Sequence, residues 1–198
     1  FASSDAWTIT RNTSLYNVAF IILTTVLAIA VAILVDEIRS RVASKIYQSL
    51  ILLPYLMSWV IVSYLAYAML SGETGMINNG ILKPLGLEPV SWYNAPKYWP
   101  FILVFVHLWK AIGYAMIIYY SSIVGISQDY YEAATLDGAT KWQQIKRITL
   151  PLLKPTVITM LVLQVGRIFY SDFGLFYQIP MNSGTLYGVT RTIDVYVY

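Results

Sequence analysis

The sequence has 198 residues, 58% of them hydrophobic and only 12% charged, against roughly 45–50% and about 25% in soluble domains. A surface facing water needs more charge than this, so the chain reads as a membrane protein; having no cysteine, it excludes disulfides, thiolate catalysis and cysteine-based zinc sites. The net charge of +3 falls in short loops between apolar runs rather than along one basic stripe, which excludes a nucleic-acid surface, and the single His107 cannot make a metal cluster alone.

The chain opens at Phe1 without a charged n-region, so no signal peptide is read there. It closes at Tyr198 inside an unpunctuated segment, and both ends are expected to be cut. Four stretches reach the roughly 20 apolar residues that cross a hydrocarbon core: residues 16–35, 46–70, 99–124 and 152–170. The first has no charge, glycine or proline between Val18 and Val35. The second carries Pro54, expected to kink the helix near Leu50. The fourth is shorter and contains Gln164 and Arg167.

The loops sort by charge. Arg39, Arg41 and Lys45 follow the first span, and Lys141, Lys146, Arg147 and Lys154 follow the third. Arg11, Lys83, Lys97 and Arg191 are spread through longer segments on the other side. The denser pair of loops is therefore assigned to the cytoplasm and the N-terminal end to the outside. Residues 71–98, rich in Gly, Pro, Asn and Trp, read as an external loop with short interfacial helices. Trp92, Tyr93, Tyr98 and Trp99 suit the headgroup level. With no internal repeat, residues 1–198 form one transmembrane domain carrying a cytoplasmic loop at 126–151.

That loop reads as two short helices with a break. Asp129 is expected to cap the first, with Glu132 in the reciprocal position, and Gly138 supplies the left-handed turn that ends it. Thr140 and Gln143 repeat the capping pattern. The second helix is expected to run to Pro151, which leads the chain back toward the membrane.

The series Glu132-Ala133-Ala134, then Gly138, then Ile148-Thr149-Leu150-Pro151 resembles the EAA loop of the binding-protein-dependent ABC importer permeases, the MetI-like family. Seven specified positions among these eight, at residue frequencies of roughly one in fifteen, match by chance on the order of once in 10⁸ windows. The likeness runs along nearly the whole chain and has the flavour of carbohydrate permeases of the polysaccharide and aldouronate type. Arg11-Asn12-Thr13, Leu53-Pro54, Ser58-Trp59-Val60, Trp109-Lys110, Ile193-Asp194 and Tyr196-Val197-Tyr198 carry it outside the loop.

The resemblance implies an all-α, polytopic transmembrane bundle of the type I importer fold, present as a fragment with about four to five of six spans, in a bacterial inner (plasma) membrane. It implies a permease that moves an oligosaccharide or modified sugar inward, working with an ABC ATPase dimer, a second homologous permease and an extracellular solute-binding protein. ATP and Mg would be bound by the ATPase, since this chain has no G-x-x-x-x-G-K-[ST] phosphate loop and does no covalent chemistry. Glu132, Ala133, Ala134, Asp137, Gly138, Lys141 and Trp142 would dock the loop as a coupling helix, with the Glu132 carboxylate meeting a basic group of the ATPase.

Each assignment has a plainer counterpart. Glu132 also serves as an ordinary first-turn carboxylate. Lys110, near the middle of the third span, either lines a cavity or pairs with backbone carbonyls or another span, whereas Arg167 lies where a long side chain snorkels. Trp59, Tyr64, Tyr67, Trp109, Tyr114 and Gln164, with Lys110, are the candidates for a sugar path. Aromatic faces take sugar C–H groups, yet any one of them also serves as packing or interfacial belt. His107 reads as a core group rather than a proton relay, and Asn12-Thr13-Ser14 as a chance sequon. The same loop on a peptide or amino-acid importer is the alternative. An ion-coupled carrier needs paired acids within the spans, and an embedded enzyme a metal cluster or nucleophile–base pair, neither of which the sequence offers.

Overall fold

A computed structural model describes residues 4–197; the expectations that rest on Phe1 and Tyr198 lie outside them. Every regular element among these residues is helical. The main helices are α1 (Ser4–Asp36), α2 (Arg41–Leu56), α3 (Trp59–Leu70), α4 (Trp99–Val124), α5 (Gln128–Leu136), α6 (Lys141–Gln144), α7 (Leu150–Val165), α8 (Tyr187–Thr190) and α9 (Ile193–Val197). Three helical stretches, Ala6–Asp36, Pro96–Val124 and Lys141–Val165, are long and apolar enough to cross a membrane, and α2 and α3 pass the same test only when the two are taken together as one bent pair.

The third predicted span coincides with α4, and the others need correction. α1 starts well before residue 16, because its polar first turns bond to other parts of the chain instead of forming a loop. Pro54 lies inside α2 without ending it. The break comes at Met57–Ser58 instead, where the Ser58 side chain accepts from the Ile61 amide and starts α3. The fourth helix ends at Val165, capped by Gly166, so Arg167 and Tyr170 lie beyond it.

The chain divides into two compact units. The first holds the described residues of 1–20, 56–108 and 167–198. Its core includes Ile9, Tyr16 and Phe20 from α1, Val62, Ala66 and Leu70 from α3, and Leu175, Phe176 and Ile179 from the segment after α7. His107 lies face to face with Phe20, ring centroids 3.7 Å apart, which is the core role expected of it.

A polar stripe on α1, residues 12, 13, 16 and 17, serves the irregular backbone of the C-terminal segment. Asn12 donates to the carbonyls of Gly188 and Arg191, Tyr16 to Val189, and Asn17 to Ile168 and Tyr170. Thr13 accepts from the Ile193 amide. Carbonyls outside a regular ladder must find donors when water is excluded, and this is why the first turns of the helix are polar.

The loop at 71–98 is organised by Asn78, fully buried. Its amide donates to the Gly72 and Val90 carbonyls and accepts from the Val90 N–H and Trp92 Nε1. Trp99 is fully buried, donating to the Trp92 carbonyl at 2.8 Å, so it belongs to the core and not to the headgroup belt. Burial, and then the neighbouring Tyr67, pushes the Tyr93 phenol up to about 12, leaving it neutral.

The second unit comprises residues 21–55 and 109–166. Its core joins Ala28, Ala32 and Val35 of α1 to Ala115, Met116, Tyr119 and Ile123 of α4 and Leu153 of α7. Residues three and four apart share a helix face, and the two alanines of α1 allow close approach there.

Candidate functional site: the bent helix pair between α4 and α7

The second unit carries the loop singled out by its motif. α5 buries none of its residues; Glu132 and Ala133 are exposed and Ala134 is half-buried. Its N-cap is Ser127, whose hydroxyl accepts from the Asp129 amide, and not Asp129 as expected. Both residue types cap well, and the Asp129 carboxylate is left in the first turn, where the helix dipole favours it.

The end of α5 follows from local geometry. Gly138 has φ +79°, the Ala139 amide donates to the Ala134 carbonyl and Gly138 to Thr135, at 2.9 and 3.0 Å, which is the Schellman pattern. A Cβ at Gly138 would meet nothing within 4 Å, so conformation alone selects glycine. Thr140 and Gln143 form the expected reciprocal cap on α6.

Beyond α6 the expectation fails. The helix does not stop at Pro151 but runs on through a widened turn, Ile145–Thr149, into α7. Pro151 stands in the first turn of α7, and the preceding turn adopts the wider spacing, with the Leu150 amide reaching the Ile145 carbonyl. A wide turn keeps a helix going where proline withholds an amide.

Two side-chain bonds fix α5 against the following helix. The Tyr131 and Thr149 hydroxyls lie 2.9 Å apart, and Gln144 Nε2, on a buried side chain, donates to Thr135 Oγ1 at 2.9 Å. Tyr131 and Thr135 stand four residues apart and so share a face, and Glu132, Ala133 and Leu136 are exposed, Leu136 at 89%. Trp142 is 69% exposed, Asp137 is exposed, and Lys141 pairs with Glu37 at 3.6 Å on the surface. The motif pointed to the exposed residues. It did not point to Tyr131, Thr135 and Gln144, although the four-residue spacing of the first two was readable.

The path candidates fall in both units. In the first, the half-buried Trp59 donates to Asp172 Oδ2 at 3.0 Å, and Asp172 Oδ1 accepts from the Gly174 and Leu175 amides. Tyr64 and Tyr67 are exposed on α3. In the second, Trp109, Lys110 and Gln164 are half-buried and Tyr114 is exposed. Lys110 Nζ donates to the carbonyls of Pro54 and Tyr55. Among the described residues no group of three or more His, Asp or Glu stands close enough to hold a metal.

Comparison with known proteins matches residues 24–171 to the family described as "Binding-protein-dependent transport system inner membrane component". The chain is 31% identical to the polygalacturonan/rhamnogalacturonan transport system permease protein YteP of Bacillus subtilis, over 86% of the chain and 52% of that protein. It is 29% identical to the lactose transport system permease protein LacF of Rhizobium radiobacter, over 97% of the chain and 64% of LacF. It therefore spans less than two thirds of either relative. A bacterial alginate ABC transporter, solved in complex with an alginate pentasaccharide-bound periplasmic protein, contains a chain that superposes with a TM-score of 0.93 at 32% identity, covering all of this chain and 68% of that one.

Proposed function

The chain belongs to the family of binding-protein-dependent transport system inner membrane components, and from that premise we propose that it is part of the permease of an ATP-driven importer for an oligosaccharide or modified sugar. The observation that carries this reading is the exposed, bent helix pair of α5 and α6, held by Tyr131–Thr149 and Gln144–Thr135 while Glu132 and Ala133 stay uncovered. The loop at 126–151 faces the cytoplasm and docks on a separate ATPase. Glu132 supplies a carboxylate for a charge-assisted contact, Ala133 and Ala134 keep the approach close, and Asp137, Gly138, Lys141 and Trp142 frame it. ATP and Mg are bound by that partner. The binding energy of nucleotide closes the ATPase dimer and moves the loop, and α7, continuous with α6, carries the displacement into the membrane.

The sugar reading is supported by the relatives named for polygalacturonan/rhamnogalacturonan and lactose transport and by the alginate transporter. The partners that follow are an ABC ATPase dimer, a second permease and an external solute-binding protein. Trp59, Tyr64 and Tyr67 on α3, and Trp109, Lys110, Tyr114 and Gln164 in the second unit, are assigned to the solute path, since aromatic faces with a few polar groups are the usual lining of ligand sites. Uptake of radiolabelled neutral and acidic oligosaccharides into membranes holding the full-length complex tests the function. Uptake of amino acids or peptides in their place refutes the sugar assignment.

A further inference from the structure

Within the second unit, the end of α1 and the start of α6 are joined by charge. α1 closes on Asp36 with Glu37 directly after it, and its last turn holds no basic residue. α6 opens on Lys141. Lys141 Nζ lies 3.6 Å from Glu37 Oε1, and its charge also acts on Asp36, which feels the repulsion of Glu37 as well. One ammonium thus serves two adjacent carboxylates. Taken helix by helix, all three charges are misplaced. A helix favours cations at its C-terminal end and anions at its N-terminal end, so the two acids weaken the end of α1 and the lysine weakens the start of α6. Neither helix gains from its own charges, and the gain comes only from bringing the two ends together.

The contact is exposed, with 73% of the Lys141 side chain and 42% of the Glu37 side chain open, and such pairs add little to stability. That separates it from the part-buried Tyr131–Thr149 and Gln144–Thr135 bonds, which fix the shape of the loop. The ion pair instead biases where the loop rests against α1. We propose that Asp36 and Glu37 are the seat of the loop on α1, that Lys141 is the positioning residue held there, and that movement of the loop enters the membrane through α1 as well as through α7. The inference rests on the importer reading and deepens it. α1 carries Ala28, Ala32 and Val35 into the core it shares with α4 and α7, so a displacement at its last turn is passed to both. Lys141, at the edge of the docking face, acts through the end of α1.

The test is a charge exchange in the full-length permease, within its complete complex in membrane vesicles. Uptake of radiolabelled oligosaccharide and ATP hydrolysis are measured together and divided by the amount of permease in the membrane. Glu37→Lys and Lys141→Glu each place at their helix end the charge that the dipole favours, so a role confined to helix stability predicts uptake unchanged or raised. The seat predicts the opposite: each single variant transports about fivefold less oligosaccharide per ATP hydrolysed, because like charges replace the pair. The double variant, Glu37→Lys with Lys141→Glu, returns to within about twofold of the unsubstituted complex, since the two substitutions act on one interaction. Single variants that transport at the unsubstituted ratio overturn the proposal. So does a double variant no better than Lys141→Glu alone, because Lys141 then acts on the ATPase and not on α1. Should Glu37→Lys fail to insert, Glu37→Gln, which removes the charge and keeps the shape, carries the same comparison, and an unchanged ratio there overturns the seat. An unsubstituted complex that hydrolyses ATP yet takes up no oligosaccharide is a different result: it removes the importer reading, and the seat's part in transport with it.

Discussion

Tyr131 and Thr149 are joined hydroxyl to hydroxyl at 2.9 Å across the bend between α5 and the following helix. Thr149 belongs to the Ile148-Thr149-Leu150-Pro151 end of the loop motif and Tyr131 immediately precedes Glu132, so this bond ties the two halves of the motif together. Removing it with Tyr131→Phe costs about 0.5–1.5 kcal/mol, too little to unfold the chain. The expected effect is a loop that is cut faster by protease and a several-fold drop in uptake. Adding Thr149→Val to Tyr131→Phe changes little further, since both substitutions remove the same interaction.

Glu132→Ala leaves the fold alone, because the side chain is exposed and α5 keeps its Ser127 cap. Uptake is expected to be abolished, while insertion and affinity for the external binding protein stay near normal. Uptake at the unsubstituted rate refutes the role of the loop as a lever.

Gly138→Asp separates shape from docking. The position has open space around it, and aspartate visits the left-handed conformation more readily than most residues, so the cost to the fold is about 1–2 kcal/mol or less. Uptake is nevertheless expected to be lost, through the charge added at the docking face. A variant that fails to insert, measured by membrane fractionation, contradicts this.

Gly113→Ala tests the packing of α2 on α4. Its methyl group meets the Ile51 carbonyl and Leu52 Cα, and forced overpacking costs about 1–3 kcal/mol. A lowered thermal midpoint of the detergent-solubilised full-length protein is expected, with Gly188→Ala, where the added atom meets nothing, as the control for added volume.

What was readable in the sequence was local. The end of α5 at Gly138 and the Thr140–Gln143 cap depend on residues within a few positions of one another, and α4 is bounded at both ends by punctuation. What was misplaced depends on partners far along the chain. The first span was read as starting at residue 16, which left Asn12 and Thr13 outside it, yet together with Asn17 they serve the backbone of residues 168–193. Pro54 drew the kink toward Leu50, while the break falls where Ser58 can cap a new helix and Lys110 can satisfy the carbonyls left at the end of the old one. Pro151 was read as a stop, but the widened turn before it lets the helix pass the position where proline withholds an amide. For the docking face, the motif included the exposed Glu132 and Ala133 and one anchoring residue, Thr149, and left out Tyr131, Thr135 and Gln144, which complete the anchoring.

The most direct test exploits the absence of cysteine from residues 1–198: Ala133→Cys as the one cysteine of the full-length permease, any cysteine outside these residues replaced by serine, within its complete complex in membrane vesicles, treated with a short crosslinker that is thiol-reactive at one end and photoactivated at the other. The account predicts a covalent product with the ATPase subunit whose yield changes when ATP is added, and reaction with an impermeant thiol reagent only when the cytoplasmic side is open to it. No product with the ATPase, or labelling from the outer face, would contradict it.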